Sequence, residues 1–302
     1  MYTKILLPLD GSSNAEQVLP YARSLVSALD VPVELVHAVE PEIIATFADP
    51  NHGRYVDIVQ STLKEEGLKY LNEIGRSFPK TSKVSCSTEF GKPADVIVST
   101  AAGEPGTLVA MATHGRSGVQ RWLLGSVAEK VLQMTANPLL LVRASPEKKS
   151  AAGFKTIVVP LDGSPLAEQA IPHACELARR LDLEVVLLRV YAIPVMGFTA
   201  EDYYTPNLEE LLKQAEDQAK SYIEEKAAEL RKAGLGRVTS RFLEGESADR
   251  IIEFARKTPD SLIAMCSHGR SGLGRIVFGS VTSRVVRHSG DPVLVVRASA
   301  AK

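Results

Sequence analysis

The chain has 302 residues, 45% of them apolar and 24% charged, which fits a globular protein of about two domains and excludes a disordered one. Its 35 Lys and Arg stand against 36 Asp and Glu, for a net charge of −1. That balance excludes the basic footprint of a nucleic-acid partner or of a protein that coats anionic membranes. Three cysteines without a CxxC pair exclude a disulfide framework and a clustered zinc site.

The elements follow in chain order. MYTKILLPLDG opens on a continuous apolar run, Lys4–Leu9, expected as a strand buried on both faces; it reaches Pro8, Asp10 and Gly11 too early for a secretory signal. Ser12 or Ser13 can cap a helix running to about Leu29. Val33–Val39 reads as a strand, 41–56 as irregular, Asp57–Ile74 as a helix, Lys83–Phe90 as a strand and Ala94–Ala102 as a helix. Thr107–Ala112 is a further buried strand, followed by a glycine-rich loop, a helix from Ser126 and a last strand, Leu139–Val142. No apolar run, Val185–Leu188 included, approaches the roughly 20 residues of a membrane span, so the expected setting is the cytoplasm, a reducing compartment.

The same order then repeats. KILLPLDG returns as KTIVVPLDG, pairing Asp10 with Asp162; MATHGRSGVQRWLLGSV (111–127) returns as MCSHGRSGLGRIVFGSV (265–281); NPLLLVRAS (137–145) returns as DPVLVVRAS (291–299). The boundaries read as 1–144 for the first repeat, 145–153 for a polar linker and 154–302 for the second. Strands alternating with helices give an α/β fold: two tandem repeats, each a mostly parallel sheet with helices on both faces. In such sheets ligands sit outside the carboxyl ends of the strands, where strand order reverses. The segments after Leu9, Val39 and Ala112 are therefore the ones that bear chemistry.

After Ala112 comes His114-Gly115-Arg116-Ser117-Gly118, and then Gly125-Ser126-Val127 opens a helix. Its copy is His268-Gly269-Arg270-Ser271-Gly272, followed by Gly279-Ser280-Val281. Glycines let backbone approach a ligand, and the unsatisfied amides of a helix start favour an anion, so the pair reads as a phosphate cradle. Ser126-x-x-Glu129 also fits a capping box. Asp10 and Asp162 can accept from a sugar hydroxyl or an adenine amine, or close an Asx turn ahead of the first helix. His114 and His268 read as polar wall residues rather than as a base or a metal ligand. His37, which aligns with Arg189, and His173 and His288 have no histidine in the other repeat and receive no role. There is no GxxxxGK[ST], no GxSxG and no HExxH, and no GxGxxG follows the first strand.

These residues resemble the universal stress proteins over essentially the whole chain, twice. The resemblance rests on the PLDGS openings, the MATHGRSG and MCSHGRSG loops, the LLGSV and VFGSV helix starts and the terminal PLLLVR and PVLVVR strands. It implies five strands per repeat in a Rossmann-like sheet of the adenine nucleotide α-hydrolase-like kind and, in one subfamily, bound ATP (or ADP or AMP), with Mg carried by the phosphates. That subfamily's motif is Gly, two residues, Gly, nine residues, then Gly-Ser or Gly-Thr. Here the first glycine is Ala112 in one repeat and Cys266 in the other, and the bulkier Cys266 points to the weaker site. By the same resemblance Pro8, Leu9 and Asp10 border the adenosine and the Ala38 backbone reads the adenine, with Pro160, Leu161, Asp162 and Val190 as counterparts. Met111, Ala112 and Met265, Cys266 lead into the two loops, whose arginines could clamp phosphates. Segments 41–56 and 194–207 would overlie the sites.

The function expected is a nucleotide-binding stress or regulatory protein with little turnover. Two rivals stay open: a slow Mg-dependent ATPase, and an interaction module that binds no nucleotide. The resemblance also implies that the last strand of each repeat lies at a sheet edge, where the two would pair antiparallel and bury Leu141 with Val295; a further homodimer is a second expectation.

Overall fold

The computed structural model describes residues 1–41, 53–114, 124–143, 153–192, 208–268 and 278–297; side chains are described from 56 onward in the second of these segments. By contacts the chain divides into two compact units. The first comprises Met1–Gly153 and Pro292–Arg297, the second Phe154–Leu273 and Phe278–Asp291, over the described residues of each.

The first unit runs β1 (Lys4–Pro8), a 3-10 turn (Ala15–Val18), α1 (Leu19–Leu29), β2 (Val33–Val39), α2 (Gly53–Gly75), β3 (Val84–Phe90), α3 (Pro93–Ala102), β4 (Thr107–Ala112), α4 (Ser126–Met134) and β5 (Leu139–Val142). Its sheet has the order β3-β2-β1-β4-β5. All neighbours are parallel, with Ile5 beside both Val33 and Leu108. β4 is buried at every residue and β1 at its three central ones, as a strand covered by helices on both faces must be. Each fully buried Leu or Ile of this layer contributes about 1.5–3 kcal/mol. The edge beyond β5 is taken by β10 (Val293–Val296), antiparallel to it. The register opposes Leu141 to Val293 and Leu139 to Val295, two residues away from the expected pairing of Leu141 with Val295. An antiparallel ladder is set by which residues face each other across the hydrogen bonds, and apolarity at all four positions of each strand does not specify that choice.

The second unit repeats the scheme: β6 (Thr156–Pro160), α5 (Pro165–Glu168), α6 (Ala170–Leu181), β7 (Glu184–Tyr191), α7 (Leu208–Lys232), β8 (Val238–Glu244), α8 (Ser247–Lys257), β9 (Ser261–Cys266) and α9 (Ser280–His288). Strand order is β9-β6-β7-β8, all parallel. Counted along the sequence, each repeat supplies five strands, the expected α/β pattern.

Two local expectations are corrected. The helix expected from Ser12 or Ser13 to Leu29 is broken into a 3-10 turn and α1, because Pro20 has no amide to donate back to the preceding turn. Its counterpart divides likewise into α5 and α6, with Pro172 near the start of α6. Residues 53–56, read as irregular, already belong to α2. Both α1 and α6 end on an aspartate in the left-handed conformation, Asp30 (φ 53°) and Asp182 (φ 54°). None of the described helices is long and apolar enough to cross a membrane.

Candidate functional site

In each unit strand order reverses between the first and fourth strands, β1 and β4 or β6 and β9, and a cavity opens at their carboxyl ends. The first, about 370 Å³, is lined by Pro8, Leu9, Asp10 and Ala38, by Met111, Ala112 and His114, and by Gly125, Ser126 and Val127. The second, about 300 Å³, is lined by Pro160, Leu161, Asp162 and Val190, by Met265, Cys266 and His268, and by Gly279, Ser280 and Val281. Every expected site residue that is described falls on a cavity wall. Gly115, Arg116, Ser117 and Gly118, with Gly269, Arg270, Ser271 and Gly272, lie outside the described residues, as do 42–52 and 194–207.

The floor is built by the Asp-Gly-Ser turn. Oδ1 of Asp10 accepts from the Ser12 amide (3.0 Å) and hydroxyl (2.6 Å), and Ser12 Oγ accepts from the Ala15 amide at 3.1 Å. Asp162, Ser164 and Ala167 repeat this at 2.9, 2.6 and 3.2 Å. Gly11 (φ 81°) and Gly163 (φ 84°) turn the chain in the left-handed region that the turn requires. The Asx-turn alternative is thus realised by Oδ1 in both repeats.

The far wall is the helix start. The Gly125 amide donates to the Thr113 carbonyl at 2.8 Å and the Gly279 amide to the Ser267 carbonyl at 2.9 Å. A Cβ on Gly125 would sit 2.8 Å from that carbonyl oxygen, whereas on Gly279 the distance is 3.3 Å. Gly125 is therefore required by the backbone across from it, a reason beyond access for a ligand, while Gly279 is only tightly placed. The caps of α4 and α9 are Gly125 and Gly279, with no side-chain hydrogen bond. Ser126 is thus the first helical residue, and the expected capping box does not form on it. Ser126 and Val127, the first residues of α4, line the cavity instead, and the unsatisfied amides of a helix start suit an anion.

His114 shares a hydrogen bond with Thr113 Oγ1 (3.1 Å) and His268 with Ser267 Oγ (3.0 Å) through Nδ1. His268 also stacks on Phe278, its centroid 6.1 Å away. Burial pushes the Cys266 thiol up to about 12, so this sulfur is an inert wall rather than a nucleophile. No group of three His, Cys, Asp or Glu that could hold a metal occurs among the described residues.

Several wall residues escaped the sequence reading. His37 and Arg189 share a task that their side-chain types conceal. Nδ1 of His37 donates to the Leu9 carbonyl at 2.7 Å, and an Arg189 guanidinium nitrogen donates to the Leu161 carbonyl at 3.1 Å. Behind each stands a tyrosine, Tyr70 edge-on to His37 and Tyr222 under Arg189. Their hydroxyls donate to Glu16 (2.9 Å) and Glu168 (2.8 Å), and burial followed by these carboxylates raises both phenols well above their usual range. Glu40 and Pro93 line the first cavity, Ser247 and Thr282 the second. The signal was available in alignment of the repeats, which sets Pro93 against Ser247 and Ala128 against Thr282.

The family model described as the universal stress protein family matches residues 1–143 and again 153–297. The chain belongs to the universal stress protein family. A universal stress protein of Methanocaldococcus jannaschii is 37% identical over 145 residues, which is 48% of this chain and 82% of that one. One from Mycolicibacterium smegmatis is 24% identical across 97% of this chain and 96% of its own. Among solved structures, a universal stress protein from Archaeoglobus fulgidus superposes with a TM-score of 0.69 at 20% identity, covering 98% of this chain and 96% of that one, which shows the shared fold. The tandem arrangement of two such repeats in one chain is thus common to this universal stress protein and its full-length relatives.

Proposed function

We propose that each repeat binds one adenine nucleotide, ATP, ADP or AMP, as part of a regulatory stress-response role with little turnover. The observation that carries this reading is the twofold recurrence of one cavity at the switch point. In each copy the ends of the first, second and fourth strands face a helix start opened by Gly-Ser. The adenosine would lie against Pro8–Asp10 and the Ala38 backbone, or Pro160–Asp162 and Val190, with phosphates toward Ser126 and Val127, or Ser280 and Val281. Mg would arrive on the phosphates. The proposal extends to the boundaries 1–144, 145–153 and 154–302, to a cytoplasmic setting without nucleic-acid or membrane partners, and to pairing of the repeats with a further homodimer.

The test is to denature the purified chain and identify what is released by ion-pair chromatography, then to titrate the emptied protein with ATP. Up to two adenine nucleotides per chain are expected. No released nucleotide together with no binding of ATP, ADP or AMP would overturn the reading and favour an interaction module. Turnover with Mg is expected about a thousandfold or more below one per second, the bottom of the usual range for enzymes. A rate near one per second would establish an ATPase.

A further inference from the structure

The two cavities differ most at the end formed by the second strand and the helix that follows the third, and the differences run in one direction. In the first cavity this end carries His37, Glu40 and Pro93. In the second, Arg189 stands for His37, Ala192 for Glu40 and Ser247 for Pro93. A carboxylate is lost, a permanent cation is gained, and a residue with neither amide nor hydroxyl is replaced by one with both. Arg189 is not a loose surface arginine. Its guanidinium is held on the Leu161 carbonyl at 3.1 Å and over the Tyr222 ring at 5.8 Å, while it lines the cavity. Ser247 is the first residue of α8, whose Glu246 cap accepts from the Asp249 amide and is paired with Arg284. The other carboxylate on this wall, Asp162, turns Oδ1 into its own Asx turn.

In the dinucleotide-binding doubly wound fold, whose glycine-rich first turn this chain lacks, an acid about 20 residues further on receives the ribose 2′ hydroxyl, and an arginine nearby accommodates a 2′-phosphate; the same exchange of acid for arginine separates the two cavities here. Arginine is suited to that task because its planar fork can donate two parallel hydrogen bonds to one phosphate. We infer that the second-repeat cavity selects adenine nucleotides carrying a phosphate on the ribose 2′ or 3′ oxygen, and that the first cavity, with Glu40 and His37 in these places, disfavours them. Arg189 and Ser247 are the specificity-determining residues. This inference rests on the reading of both cavities as nucleotide sites.

The experiment titrates the full chain by calorimetry with adenosine 2′,5′-bisphosphate, adenosine 3′,5′-bisphosphate and 5′-ADP, which carry equal numbers of phosphates. One bisphosphate is expected to bind one site per chain at least tenfold more tightly than 5′-ADP. The readout in the variants is the ratio of the two affinities, which a purely structural role would not move. Arg189→His installs the first repeat's own carbonyl-bonding residue and should lower the ratio about tenfold, Arg189→Lys should retain part of it, and Ser247→Pro should lower it severalfold. His37→Arg should raise the ratio at the other site. A chain that binds 5′-ADP at two sites but shows a ratio near one, or a ratio unmoved by Arg189→His and His37→Arg, overturns this inference and leaves nucleotide binding standing. A chain that binds none of the three overturns both.

Discussion

The two cavities share a frame and differ in their lining. The frame is identical wherever the backbone makes a demand: the Pro-Leu-Asp-Gly floor, the Gly-Ser helix start, and the carbonyl of Leu9 or Leu161 held by a side chain from the neighbouring strand. The lining is bulkier in the second copy, with Val190 for Ala38, Cys266 for Ala112 and Thr282 for Ala128. The second cavity is also the smaller, about 300 against 370 Å³. The floor and the helix start are thus kept residue for residue, whereas the carbonyl-holding position keeps its bond and changes its side chain, His37 for Arg189.

The contrast is expected to be sharpest in acid. Burial holds the His173 imidazole down to about 4, while its counterpart in α1 is Tyr21, which takes up no proton. An unfolded histidine binds its proton near pH 6.5, so stability is full above that pH and falls as the unfolded state alone is protonated, down to about pH 4. Urea titrations across that window should show wild type losing roughly 2–3 kcal/mol relative to His173→Tyr. Parallel pH profiles would refute the assignment. Next in size is Gly125→Ala, whose Cβ would press on the Thr113 carbonyl; it should destabilise by about 2 kcal/mol, and Gly279→Ala by less than about 1. Equal losses would mean that the two helix starts are the same after all. Cys266→Ala copies Ala112 and should raise ATP affinity at the second site about fivefold, near 1 kcal/mol, by calorimetry; an unchanged affinity would show that the sulfur does not narrow the site. The smallest contrast concerns the tyrosines. Glu168 also receives Lys226 at 3.2 Å, so Tyr222→Phe leaves it a partner. Tyr70→Phe should cost about 1 kcal/mol and Tyr222→Phe about half that, by thermal melting.

Much of this was legible in the sequence because buried parallel strands declare themselves as apolar runs: β2, β4 and β5 have the bounds expected of them. The cavity floor and helix start were legible because they recur as identical strings. His37 and Arg189 were not, since what they share is a hydrogen bond to a carbonyl, which imidazole and guanidinium make equally well and which leaves no trace in residue identity. Gly125 was assigned to ligand access, but its tighter reason, the Thr113 oxygen, belongs to a strand end twelve positions earlier and needs coordinates to be seen. The split at Pro20 was within reach, as a proline's missing amide is a property of the sequence alone.

The hydrogen bond from the Gly125 amide to the Thr113 carbonyl, and its twin between Gly279 and Ser267, work as a latch. Each fixes the point where the chain leaves the sheet against the point where it enters the helix, so that the intervening segment starts and finishes at one place. The length and composition of that segment can then change without displacing α4 or α9, because closing a longer loop adds only about 0.6 kcal/mol per doubling. Exchange of the two segments between the repeats, or a graft from another relative, should therefore leave the sheet as it is, which makes the latch the natural seam for re-engineering either unit.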